Sequence, residues 1–208
     1  MVYWISCFLF RIIVQIFFRG KCYGRDNLPE KGPYIAIINH SSLFDIPALA
    51  MVVRGKVTTM VKDSLFQVPI LNWWLRAVHM FPVKRGQSDE QAFNHAAEML
   101  KKGFILFMSP EGTRKYDPAN PPRAHTGFIR LAQIANCPVV PIAITGTRDV
   151  LPPGAKFPKF VQIKTKVGKQ IQFEKVAASL NNREKLQKQA NEAMQKVYQL
   201  RKELNNLH

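Results

Sequence analysis

Cysteine is scarce in this 208-residue chain: Cys7, Cys22 and Cys137 stand far apart, without the paired spacing of a disulfide framework or a zinc site. No histidine and cysteine cluster offers a metal set, and no glycine-rich nucleotide loop follows an expected strand. The three thiols therefore read as reduced and structural. Acidic side chains are also few, 14 against 30 lysines and arginines, for a formal charge of +16. That imbalance calls for a polyanionic partner, either nucleic acid, an acidic membrane surface or a phosphorylated substrate, and does not choose among them. Repeats and low-complexity tracts are absent, and an apolar content of 47% excludes a disordered chain. The length suits one domain with appendages.

The first apolar run, residues 1–18, lacks the basic n-region and the small-residue cleavage site of a secretory leader. As a membrane span it lies at the short limit of roughly 17 to 25 residues and holds Arg11 near its middle. Arg11, Gln15 and Arg19 recur every fourth residue, forming a narrow polar stripe on a helix rich in Trp4, Phe8, Phe10 and Phe17. This pattern predicts a helix lying in the membrane interface, with Arg11 and Arg19 reaching anionic headgroups. A true span and a soluble packing helix are the alternatives.

Five short apolar runs read as core strands: 34–38, 56–61, 78–83, 104–108 and 137–144. Residues 21–31 read as a polar link into the first of them, and 145–159 as an irregular segment. Residues 160–167 and 169–173 resemble two late strands joined at Gly168. Helices are predicted over 46–53, 88–101, 127–135 and 183–204. The aromatic segment 65–80, with Phe66, Trp73 and Trp74, reads either as a helix packed on the sheet or as the wall of an acyl-chain groove. Strands alternating with helices predict an α/β fold with a mostly parallel central sheet.

Chemistry-bearing residues follow the strands. After the first come Asn39-His40-Ser41-Ser42, then Asp45 at the start of the next helix. His40 and Asp45 would diverge by about 140° on one ideal helix, so they can meet only if His40 lies in the preceding turn. There Asp45 would fix the imidazole tautomer and leave the other ring nitrogen free to take a proton. Spacing alone leaves two readings open, a capped surface loop and a catalytic pair. Lys84-Arg85 likewise forms either a solvated turn or a phosphate fork. Ser109-Pro110-Glu111-Gly112-Thr113-Arg114 ends another strand with backbone amides, a hydroxyl and a guanidinium close together.

Taken in order, four blocks resemble the glycerolipid acyltransferase family: His40 through Asp45, Phe81-Pro82-Val83-Lys84-Arg85, Pro110-Glu111-Gly112-Thr113-Arg114, and Val140-Pro141-Ile142. The intervening Val61-Lys62-Asp63-Ser64-Leu65-Phe66 is similar to the branch that acylates lysophosphatidate. The resemblance implies a mostly parallel sheet flanked by helices, with a membrane-associated N-terminal helix over residues 1–20. Residues 21–208 would then form the acyltransferase domain, ending in an amphipathic helix. It further implies that His40 is the general base and Asp45 its orienting partner. Arg85, Arg114 and Lys62 would hold the acceptor phosphate, and Glu111, Gly112 and Thr113 would shape its pocket. The implied reaction moves an acyl group from acyl-CoA or an acyl carrier protein, a thioester co-substrate, to the sn-2 hydroxyl of lysophosphatidic acid. No cofactor and no metal are implied. The implied setting is the cytoplasmic face of a bacterial cell membrane, with peripheral or monotopic attachment to its anionic surface. Glycerol 3-phosphate or another lysophospholipid is the alternative acceptor. A basic nucleic-acid-binding protein is the alternative class, but the cations are spread along the chain and no known binding module is present.

Overall fold

The apolar runs become the middle of one sheet. The computed structural model describes residues 1–84, 89–112, 122–152, 155, 157–174 and 181–207, the side chains of 181 and 182 excepted. In chain order these form α1 (Val2–Phe17), β1 (Lys21–Tyr23), β2 (Tyr34–Ile38), α2 (Asp45–Val52), β3 (Val57–Lys62), α3 (Pro69–Ala77) and β4 (Met80–Val83). Then come α4 (Glu90–Lys101), β5 (Ile105–Met108), α5 (Gly127–Ala135), β6 (Val139–Thr145), α6 (Thr147–Val150), β7 (Lys164–Val167) and α7 (Asn181–Asn205). The described strands lie in the order β1-β7-β6-β2-β5-β3-β4. Every neighbouring pair is parallel except β6 with β7.

All five residues of β2 are buried, as a central strand covered on both faces requires. Its period-2 alternation divides the core. Ile35 and Ile37 pack with Leu106, Val139 and Ala143 under α4, α5 and α7. Tyr34, Ala36 and Ile38 pack with Phe107, Ile142 and Ile144 under α1 and α2. The five co-directional strands β6, β2, β5, β3 and β4 end at one edge, where an open α/β sheet gathers loops and N-terminal helix ends.

Several local expectations need correction. The polar link 21–31 contains the edge strand β1, whose three residues carry no apolar run. The aromatic segment 65–80 breaks into a 3-10 turn, Asp63–Gln67, and α3, because Pro69 suits only the first position of a helix. The second late strand reduces to one antiparallel bridge between Ile171 and Val139. The irregular segment after β6 includes α6.

Of the polar stripe, Gln15 and Arg19 are exposed as expected, but Arg11 is not. Arg11 turns inward and donates from Nη2 to the Ala50 carbonyl at 3.1 Å. Arg25 donates to the Val52 and Met51 carbonyls at 3.1 and 3.0 Å, and the Val53 N–H takes that of Leu49. The four carbonyls that a helix leaves unpaired at its C-terminus are thus all satisfied in α2, three of them by cations that suit the helix dipole. The helix that begins with Asp45 is therefore anchored at its far end. Around the rest of α1, Trp4, Ile5, Phe8, Leu9, Ile16 and Phe17 stay exposed. Among the described residues no helix is long and apolar enough to cross a membrane.

Candidate active site

Where β2 ends, a side chain continues its pairing with β6. Asn39 is buried, donates from Nδ2 to the Ile144 carbonyl at 2.9 Å, and accepts the Ile144 N–H at 2.8 Å. Residues of these types often cap a helix, but none of Asn39, Ser41 and Ser42 caps α2 through its side chain. The ladder instead fixes the turn that follows, and His40 lies in that turn.

Asp45 is the first residue of α2 and is fully buried. Its Oδ2 meets His40 Nδ1 at 2.8 Å and accepts the backbone N–H groups of Ser41 and Ser42 at 2.8 and 3.0 Å. Its Oδ1 accepts the Thr147 hydroxyl at 2.5 Å. A buried carboxylate needs such partners, and the N-terminus of a helix favours its charge. Because Oδ2 already accepts two N–H groups, it is an acceptor toward the ring as well. The proton therefore sits on Nδ1, and Nε2 is left with its lone pair. The meeting of His40 and Asp45 depends on the placement their spacing demanded, histidine in the turn and aspartate in the helix.

Glu111 follows β5 and is buried. Its Oε2 accepts the His40 N–H at 3.0 Å, and its Oε1 accepts the Tyr198 hydroxyl of α7 at 2.9 Å. Burial pushes its carboxyl above the ordinary glutamate range, although the His40 N–H, the Tyr198 hydroxyl and the Arg201 charge pull the other way. Expected to line the acceptor pocket, Glu111 has both oxygens engaged by donors within the protein. Gly112 is exposed and has a φ of 63°, and a Cβ there would come within 2.8 Å of His125 Nε2. The His125 N–H in turn donates to the Pro110 carbonyl at 2.8 Å, so His125 lies against the turn after β5. Lys62, the last residue of β3, is exposed at the same edge of the sheet. Arg85, Thr113 and Arg114 lie outside the described residues.

Thr147 and Tyr198 were not among the expected site residues. Thr147 comes two residues after β6, as His40 and Glu111 come soon after their own strands, and that placement was the available signal. Tyr198 sits in the buried stripe of α7, where a phenol needs a hydrogen-bond partner.

Beneath α1 lies a cavity of about 520 Å³. It reaches from Ile46, next to Asp45 in sequence, past Phe107 and Trp74 to Gly55 and Val57. Tyr3 closes that end: its hydroxyl donates to the Gly55 carbonyl at 2.6 Å and accepts the Val57 N–H at 2.8 Å.

Comparison with known proteins gives this arrangement a family. The model of the Acyltransferase family matches residues 19–145. A Bacillus subtilis 1-acyl-sn-glycerol-3-phosphate acyltransferase is 25% identical over 198 residues, covering 95% of this chain and 96% of its own length. The chloroplastic 1-acyl-sn-glycerol-3-phosphate acyltransferase BAT2 of Brassica napus is 30% identical over 70% of this chain and 42% of its own. The chain spans about half the length, or less, of the plant and yeast relatives it matches. In fold it is similar to the 1-acyl-sn-glycerophosphate (LPA) acyltransferase PlsC of Thermotoga maritima, with a TM-score of 0.69 and 22% identity, over 92% of this chain and 79% of that one. With the family model spanning the sheet from β1 to β6, the chain belongs to the acyltransferase family.

Proposed function

We propose that the chain transfers a fatty acyl group from a thioester donor, acyl-CoA or acyl carrier protein, to the sn-2 hydroxyl of 1-acyl-sn-glycerol 3-phosphate. The observation that carries this reading is the 2.8 Å contact of His40 Nδ1 with the buried Asp45 carboxylate, in a chain of this family. Nε2 of His40 takes the proton of the acceptor hydroxyl as its oxygen attacks the thioester carbonyl carbon. The tetrahedral intermediate collapses, the C–S bond breaks, and the departing thiolate recovers the proton from His40. Asp45 holds the ring and offsets the imidazolium charge that forms in between. Lys62, with Arg85 and Arg114 by family resemblance, holds the phosphate. Glycerolipid-acylating relatives named above support lysophosphatidate as acceptor.

The donor's acyl chain lies in the apolar cavity beneath α1, which begins beside Asp45 and ends at Tyr3. The protein works as a peripheral membrane enzyme. In support, α1 and α3 pack side by side through Trp74 while exposing Trp4, Phe8 and Ile16 on one and Ile70 and Trp73 on the other. Exposed apolar faces of this kind suit a lipid interface, and a charge of +16 suits an anionic one.

The test is product analysis with lysophosphatidate in mixed micelles, supplied in separate arms with acyl-CoA and with acyl carrier protein thioester. We expect phosphatidic acid from the wild type, and a loss of roughly 10²- to 10⁴-fold in His40→Ala and Asp45→Asn, the range typical of a lost general base. Unchanged turnover in His40→Ala would remove His40 from the mechanism. Turnover of glycerol 3-phosphate in place of lysophosphatidate would move the acceptor assignment.

A further inference from the structure

We propose that Thr147 is a positioning residue for acyl transfer, its hydroxyl holding the Asp45 carboxylate and thereby setting the proton affinity of His40. For its kinetic arm this rests on the function proposed above.

The two oxygens of Asp45 are served unequally. Oδ2 takes His40 and two backbone N–H groups, whereas Thr147 is the donor to Oδ1 among the described residues. Thr147 is fully buried, and its placement is fixed by the residues just before it. Upstream, the Asn39 side chain clamps Ile144, three residues before it. Between them Gly146 has a φ of +86°, and a Cβ there would come within 2.1 Å of the Gln162 carbonyl oxygen. Only glycine suits that left-handed conformation at so close an approach.

A hydroxyl has one proton to give. Thr147 gives it to Asp45, so in its 3.2 Å contact with Ser41 Oγ it accepts, and Ser41 donates. The resulting chain runs from Ser41 to Thr147 to Asp45, every link pulling negative charge away from the oxygen that faces the imidazole. Without it the carboxylate binds its remaining donors more strongly, and the imidazolium form of His40 is favoured. The other charged groups that bear on the pair belong to other elements. Glu111 acts through the His40 N–H, and Arg201 and the Tyr198 hydroxyl of α7 act on Glu111. Arg148 and Asp149, next to Thr147, are exposed. The substitutions below leave all of these in place.

The experiment is an NMR titration of ¹⁵N-labelled imidazoles in wild type, Thr147→Val and Thr147→Ser, with the His40 signal identified by its loss in His40→Gln. Thr147→Val is expected to raise the His40 midpoint by roughly half a unit to one unit, the scale of one altered polar neighbour. Turnover should fall roughly ten- to a hundredfold, as for a lost hydrogen bond to a charged group, with the acid limb of kcat moving up in pH alongside the midpoint. Thr147→Ser, which keeps the hydroxyl, should restore both. An unchanged midpoint in folded Thr147→Val overturns the proposal, as does a serine variant that behaves like valine. Should Thr147→Val fail to fold, Ser41→Ala removes the upstream donor instead: a smaller upward shift supports the chain, and none overturns it. If wild type makes no phosphatidic acid, the functional reading falls, while the titration still decides the role of Thr147.

Discussion

The hydroxyl of Tyr198 donates to Oε1 of Glu111 at 2.9 Å, joining residues 87 positions apart. The other oxygen of the same carboxylate receives the His40 N–H at 3.0 Å. One buried side chain therefore ties the last helix to the turn that carries the histidine. In Tyr198→Phe the ring still fills its place, but Glu111 loses a donor. We expect a loss of about 1.5–3 kcal/mol in unfolding free energy, as for a hydrogen bond to a charged group. Urea unfolding with an unchanged m-value would check it.

Glu111 also gives the stability a pH dependence. Burial raises its carboxyl above the ordinary value near 4.5, so between that value and the raised one the folded chain binds more protons than the unfolded chain. Its contribution to stability then falls as pH rises through this window and is constant above it. Glu111→Gln removes the effect while keeping an acceptor for His40 and an amide for Tyr198. Relative to wild type, Glu111→Gln should therefore gain stability as pH rises from the ordinary glutamate value through the raised one, and hold that gain above it. Urea melts of both proteins at several pH values across that interval measure the difference. A constant difference would show that Glu111 has no raised value in the folded chain.

The outward face of α1 leads to a lipid-binding expectation. Ile5, Leu9 and Ile16 are 51, 49 and 67% exposed and lie off the lining of the cavity beneath α1, so their replacement by serine removes apolar surface without opening the core. If each contributes ~1 kcal/mol or more on entering an interface, the triple variant should bind anionic vesicles on the order of a hundredfold more weakly. Sedimentation with vesicles measures the loss, and circular dichroism should show an unchanged thermal transition.

If the acyl chain lies in the cavity beneath α1 as proposed, Tyr3 bears on its length. Its hydroxyl bridges Gly55 and Val57 at the end of the cavity, and Tyr3→Ala would extend the space at that end. In competition assays with donors of graded chain length, the preferred acyl group should lengthen by roughly two to four carbons, the room vacated by one aromatic ring. An unchanged preference would place the acyl chain elsewhere.

The central sheet was legible because its strands are continuous apolar runs, and a strand buried on both faces has few other compositions. The pairing of His40 with Asp45 could be framed from the sequence, since the spacing ruled out a shared helix. The facing of α1 could not. Arg11 turned inward because the unpaired carbonyls ending α2 lay beneath it, and no local pattern encodes a neighbour's helix end. Thr147 escaped notice for a similar reason. Its partner is 102 positions away, and its place after a strand was the one signal it offered. Tyr198 was hidden among positions that also suit plain core residues.

The distance in sequence between Tyr198 and the turn it braces has a consequence for biosynthesis. His40 and Asp45 leave the ribosome early, but their turn is completed by Ile144 and Thr147 and braced, through Glu111, by residue 198. Contacts this distant in sequence form late and make assembly slow. His40 and Asp45 are thus synthesised before Ile144, Thr147 and Tyr198, and their turn stays unbraced until those distant residues have joined it.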